Sequence, residues 1–81
     1  MNLESLATLA AASGAEELQR ALEALCLPYG GVQNLRLIQD KNDKSYYCFI
    51  DSASREGNAA LMREFGGTHF GNGIVFRIPP G

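Results

Sequence analysis

The spacing of hydrophobic positions changes several times along the chain, and each change marks an element. Leu18, Ala21, Leu22 and Leu25 recur at i, i+3, i+4 and i+7, the inner face of an amphipathic helix. Just before them, Ser13-Gly14-Ala15-Glu16 has the form of a capping box, with the Ser13 hydroxyl taking an orphan backbone N–H and Glu16 reaching back. Leu27-Pro28-Tyr29-Gly30-Gly31 closes that helix. Residues 32–39 (VQNLRLIQ) and 45–51 (SYYCFID) read as strands joined by the polar loop DKNDK. A second helix is expected over roughly 54–65, capped by Ser52 or Ser54, with Leu61, Met62 and Phe65 turned inward. Gly57 inside it costs about 1 kcal/mol relative to Ala. Gly71-Asn72-Gly73 reads as a tight turn feeding a last strand, residues 74–78 (IVFRI), which Pro79-Pro80 stops.

Residues 3–10 (LESLATLA) fit two periods. Their residue types favour a helix, yet Ser5, Ala7 and Leu9 also fall on one face of a strand. If the segment is a strand, the order is βαββαβ, the ferredoxin-like split βαβ arrangement. This is an α+β domain with a four-stranded antiparallel sheet, two helices on one face and the other face open. The whole chain, 1–81, is then a single domain whose first strand, about 3–10, is the open choice.

The alternation in the second strand raises a functional question. Cys48 and Ile50 share one face, an evident core face, and Tyr47 and Phe49 share the other. A sheet with one wet side has no packing need for two rings there. The neighbouring outward positions are Arg36, with Asn34 two residues before it, and Arg77; Lys41 and Lys44 flank from the loop. These cations beside two rings suit nucleic acid, although Asp40, Asp43 and Asp51 cut into the field. Each also has a plainer reading. Arginines such as Arg36 and Arg77 are more often solvated strand residues than ligands, Lys41 and Lys44 are most simply loop solubilisers, and the rings could be a surface covered by a chain terminus or a partner. A one-residue slip would invert every assignment.

Composition narrows the classes. A chain of 81 residues that is 46% hydrophobic and 20% charged is ordinary for a folded domain. The net charge of −2 gives no global signal for nucleic acid, but it is uneven: residues 1–30 sum to −3 and residues 31–81 to +1. Cys26 and Cys48 lie in apolar stretches and read as buried free thiols, which, with no signal peptide, points to a cytoplasmic or nuclear setting. No apolar run approaches the length of a membrane span, so no membrane partner is expected. No nucleophile elbow, phosphate loop or Cys/His metal spacing is present, and His69 is a lone loop histidine, so neither catalysis nor a cofactor or metal is expected.

Several segments resemble the RNA recognition motif family over about residues 13–78. Gly31-Val32-Gln33-Asn34-Leu35-Arg36-Leu37 looks like the family's second strand. Tyr47-Cys48-Phe49-Ile50-Asp51 resembles its RNP1 core, and Gly66-Gly67-Thr68 followed by Phe70, then Phe76-Arg77-Ile78, resemble the turn after the second helix and the last strand. Tyr46 stands where RNP1 has Gly, Ser52 where it has its last aromatic, and Ser5 where RNP2 would place an aromatic. The resemblance implies a single-stranded RNA-binding module in which Tyr47 and Phe49 stack on bases. Arg36, Arg77, Lys41 and Lys44 would then hold phosphates. The acidic balance and the missing RNP2 aromatic keep a second function open, a protein-interaction or homodimerisation domain using the same face.

Overall fold

The computed structural model describes residues 3–80, and of Leu3 and Ser5 the backbone alone. The order is α1 (Leu3–Ala10), α2 (Ala15–Cys26), a 3-10 turn (Leu27–Tyr29), β1 (Val32–Gln39), β2 (Tyr46–Ser52), α3 (Arg55–Phe65), β3 (Thr68–Phe70) and β4 (Gly73–Ile78). The strands form one antiparallel sheet in the order β1-β2-β4-β3, so the chain is an α+β domain with a four-stranded antiparallel sheet.

The open choice at residues 3–10 resolves to helix, and the described order is ααββαββ rather than βαββαβ. The reason lies in strand pairing. β2 is hydrogen-bonded to β1 on one edge and to β4 on the other, so the slot a first strand would need is already filled. Leu6 and Leu9, one helical turn apart, instead enter the core beside Leu18, Leu22 and Cys26 of α2. Burying each such leucine contributes about 1.5–3 kcal/mol, more than the weak strand alternation could offer.

The three helices and the inward side chains of the sheet share a single core. Cys48 and Ile50 of β2 and Ile74, Phe76 and Ile78 of β4 meet Leu61 and Phe65 of α3, with the rings of Phe65 and Phe76 stacked at 4.7 Å. Both cysteines are fully buried and free. Burial pushes the Cys48 thiol up to about 12, with Cys26 adding to the shift, and raises Cys26 as well. They are inert packing groups at neutral pH.

Two caps differ in how they follow the sequence. Ser54 is the N-cap of α3, its hydroxyl accepting from the Gly57 amide at 3.0 Å. The box at Ser13 does not form. α2 starts from Gly14 with no side-chain cap, which places Ser13 one residue too early, and its hydroxyl donates to the Glu17 carboxylate instead. Gly57 is explained by a close approach: a Cβ there would lie 2.4 Å from Ser52 Oγ and 2.7 Å from Tyr29 Cβ. The helix-propensity cost is the condition for α3 to lie this close to the end of β2.

At the far end of β2, one buried side chain ties three segments together. Asn58 accepts from the Ser52 amide at 2.8 Å, and its Nδ2 donates to Asp51 Oδ1 and to the Asn72 carbonyl, both at 3.0 Å. α3 is thereby pinned to β2 and to the β3–β4 turn.

Candidate functional site

The register places the outward side chains. Across β1 and β2, Arg36 is opposite Phe49, Ile38 opposite Tyr47, and Asn34 opposite Asp51. Across β2 and β4, Tyr47 is opposite Arg77 and Phe49 opposite Val75; across β4 and β3, Thr68 is opposite Val75 and Phe70 opposite Gly73. Directly paired residues share a face, so Arg36, Tyr47, Phe49 and Arg77 all stand on the side away from the helices, as the alternation in β2 predicts. Tyr46 faces the other way, lining a cavity with Leu9, Leu18 and Ile78.

The face holds a third ring that the sequence reading assigned only to a turn. Phe70 is 61% exposed and meets Phe49 edge-on, ring centroids 5.1 Å apart. Ile38 (47% exposed) and Tyr47 (38% exposed) continue the apolar surface toward the other end of the strands. Phe70 sits in a strand of three residues, too short for its periodicity to show. The signal that finds it is the turn: Gly71-Asn72 closes the β3–β4 hairpin, and Phe70 and Gly73 are the pair on either side.

The cations fare differently. The Arg36 side chain makes no hydrogen bond or ion pair among the described residues. Arg77 is engaged, its Nη2 donating to Asp43 Oδ2 at 2.9 Å. Asp43 is also held by the hydroxyl of buried Ser45 at 2.6 Å and by the Ser45 amide at 2.9 Å. These two bonds first, and Arg77 after them, lower the Asp43 carboxyl from 3.8 to about 2. Lys41 is exposed in the β1–β2 loop. Lys44, the one non-glycine at positive φ (67°) among the described residues, lines the cavity of about 370 Å³ on the helix side with Tyr46, Gln39 and Leu9. The structure therefore brings Arg36, Tyr47, Phe49 and Arg77 together, adds Phe70, and places Lys44 elsewhere.

The Asp43 cluster makes a titration prediction. A carboxyl with a lowered folded value contributes stability above its unfolded value that is lost as pH falls through the folded one. The contribution is thus complete above about pH 4 and gone below about pH 2. In a carbon-detected NMR titration Asp43 should show a midpoint near 2. Ser45→Ala should move that midpoint toward 3.8 by more than Arg77→Gln does. The reverse ranking would mean that the ion pair, not the serine, holds the carboxylate.

A shallow depression of about 480 Å³ opens beside Phe49 and Phe70, lined among others by Asn34, Arg36, Asp51 and Asn72. Gly73 lets Asp51 lie against β4, since a Cβ there would be 2.3 Å from the Ile50 carbonyl and 3.0 Å from Asp51 itself. His69 is exposed on β3. Among the described residues no three His, Cys, Asp or Glu side chains gather as a metal site, and no helix is long and apolar enough to cross a membrane. In comparisons with known proteins, no family model, curated protein or solved structure matches the chain.

Proposed function

We propose that the chain is a single-stranded RNA-binding module of the RNA recognition motif type, working inside the cell, with the open sheet face as its platform. The observation that carries this reading is the cluster Tyr47, Phe49 and Phe70, unneeded by the core and set beside an unpaired Arg36. Unpaired bases stack on such rings while guanidinium groups take phosphates. The ferredoxin-like assignment is supported by half of the sheet. β2 and β3 run parallel, α3 crosses between them and β4 lies in the gap, which is a split βαβ unit. In this proposal β4 fills the place of the family's first strand, Val75 stands beside Phe49 where that strand would carry an aromatic, and Phe70 supplies the missing ring from β3.

The test is an NMR titration of labelled protein with short mixed-sequence single-stranded RNA at low and moderate salt. Shifts should concentrate on Arg36, Tyr47, Phe49 and Phe70 and weaken as salt rises. Arg77 should respond less than Arg36, because Asp43 already holds it. No shifts at millimolar RNA would remove the proposal.

A homodimer through the same face is the second reading. Ile38 and Val75 widen the apolar surface without serving as stacking rings, and Asp43 neutralises Arg77. Sedimentation that shifts to twice the monomer mass as concentration rises, with Tyr47 and Phe70 protected, would favour it.

A further inference from the structure

We propose that the depression beside Phe49 and Phe70 is a guanine-reading pocket, an inference that rests on the RNA-binding reading above. The motivating residue is Asp51. It lies on the RNA-facing side of the sheet, half-buried, with Oδ1 fixed by the Asn58 amide at 3.0 Å. Its other oxygen has no partner among the described residues. A carboxylate repels phosphate, so the group on a bound nucleotide that suits it is a hydrogen-bond donor of the base. Among the four bases guanine alone places two adjacent donors, N1–H and N2–H, on its Watson–Crick edge, where both can bind one carboxylate. Adenine and cytosine each offer a single amino group there, and uracil a single N–H.

The other residues lining the depression suit the remaining edges of the same base. With guanine in the pocket, Arg36 presents its donor fork to guanine O6 and N7 instead of to a phosphate. Asn34, across the strand from Asp51, offers both a donor and an acceptor. Phe49 and Phe70 supply the ring surface against which a purine lies. Asn58 does not touch the base; it is a positioning residue that fixes the orientation of Asp51 from behind.

The test is fluorescence anisotropy with labelled uridine pentanucleotides carrying guanine, adenine, cytosine or inosine at the centre. Guanine should bind about tenfold more tightly than adenine or cytosine. Inosine, which lacks the N2 amino group, should fall between them. Asp51→Asn keeps an oxygen for Asn58 but replaces the other with a donor, so it should erase the guanine preference, while the lost negative charge leaves the adenine and cytosine affinities equal to or above the parent's. Binding without a guanine preference, or a preference that survives Asp51→Asn, overturns the pocket and leaves the RNA reading standing. Failure of every pentanucleotide to bind overturns both.

Discussion

Asn58→Ala should destabilise the domain by about 3 kcal/mol, although residue 58 is one polar side chain in an exposed-looking helix sequence. Asn58 is 7% exposed and makes three hydrogen bonds, one accepted and two donated. Each intramolecular bond is worth about 1 kcal/mol net, and an orphaned buried group costs about 1–3 kcal/mol more. Truncation strips the partner from the Ser52 amide, the Asn72 carbonyl and one oxygen of Asp51 together. Against a total of roughly 4–12 kcal/mol for a domain of this length, that is a large share. Urea denaturation should show the midpoint falling with an unchanged slope. A midpoint within error of the parent would mean that water replaces the side chain and that Asn58 is no hub. Asn58→Asp offers an independent check. It retains the acceptor for Ser52 but turns the donor toward Asp51 into a second carboxylate oxygen. The introduced carboxyl should have a raised folded value, so the variant should be least stable at neutral pH and should recover as pH falls toward its unfolded value.

That hub also marks the boundary of what the sequence discloses. The period-2 alternation of residues 46–52 correctly sorts Tyr47 and Phe49 from Cys48 and Ile50, because one buried face enforces its own register. The α2 and α3 stripes are nearly as plain: Leu18, Leu22, Leu61 and Phe65 are buried, but Leu25, expected on the inner face, is 39% exposed and Cys26 takes the buried position instead. These patterns are local, and each segment carries its own evidence. The identity of β2's second neighbour is not local. β4 lies over 20 positions further along the chain, and its pairing decides whether residues 3–10 have a place beside β2. Nothing within LESLATLA records that competition. The Arg77–Asp43 pair has the same character: both residues were visible as charges, but only the crossing of the β1–β2 loop past the end of β4 joins them.

The candidate site divides along the same line. Arg36, Tyr47 and Phe49 were legible because strand alternation alone places them. Phe70 was not, because its strand has three residues and its position follows from a hairpin. Lys44 is placed on the site by proximity in sequence alone. Its left-handed backbone helps close the β1–β2 loop, with its amide bonded to the Asp40 carbonyl at 2.9 Å, and the residue lines the helix-side cavity.

Tyr47→Ala combined with Phe49→Ala should lower affinity for single-stranded RNA by at least about 30-fold while the domain stays folded. Base–aromatic stacking is worth about 1–3 kcal/mol per base, so two rings together supply at least about 2 kcal/mol. The two substitutions do not cost the same in stability. Tyr47 is 38% exposed and borders Ile38 and Arg77 rather than the core. Phe49 is half-buried and supports Phe70 edge-on, a contact worth about 0.5–1.5 kcal/mol beyond its buried area. Tyr47→Ala alone is therefore the cleaner probe, expected to weaken binding about tenfold with an unchanged urea midpoint. Phe70→Ala should weaken binding to a similar degree if its ring belongs to the platform. The core side chains Cys48, Ile50 and Phe76 lie on the opposite face, so amide spectra of all three variants should keep the parent's dispersion. A double variant that is folded and binds RNA as tightly as the parent would show that the rings serve another surface. The same protein should then be examined for loss of self-association, because both functions would draw on the same exposed aromatic area.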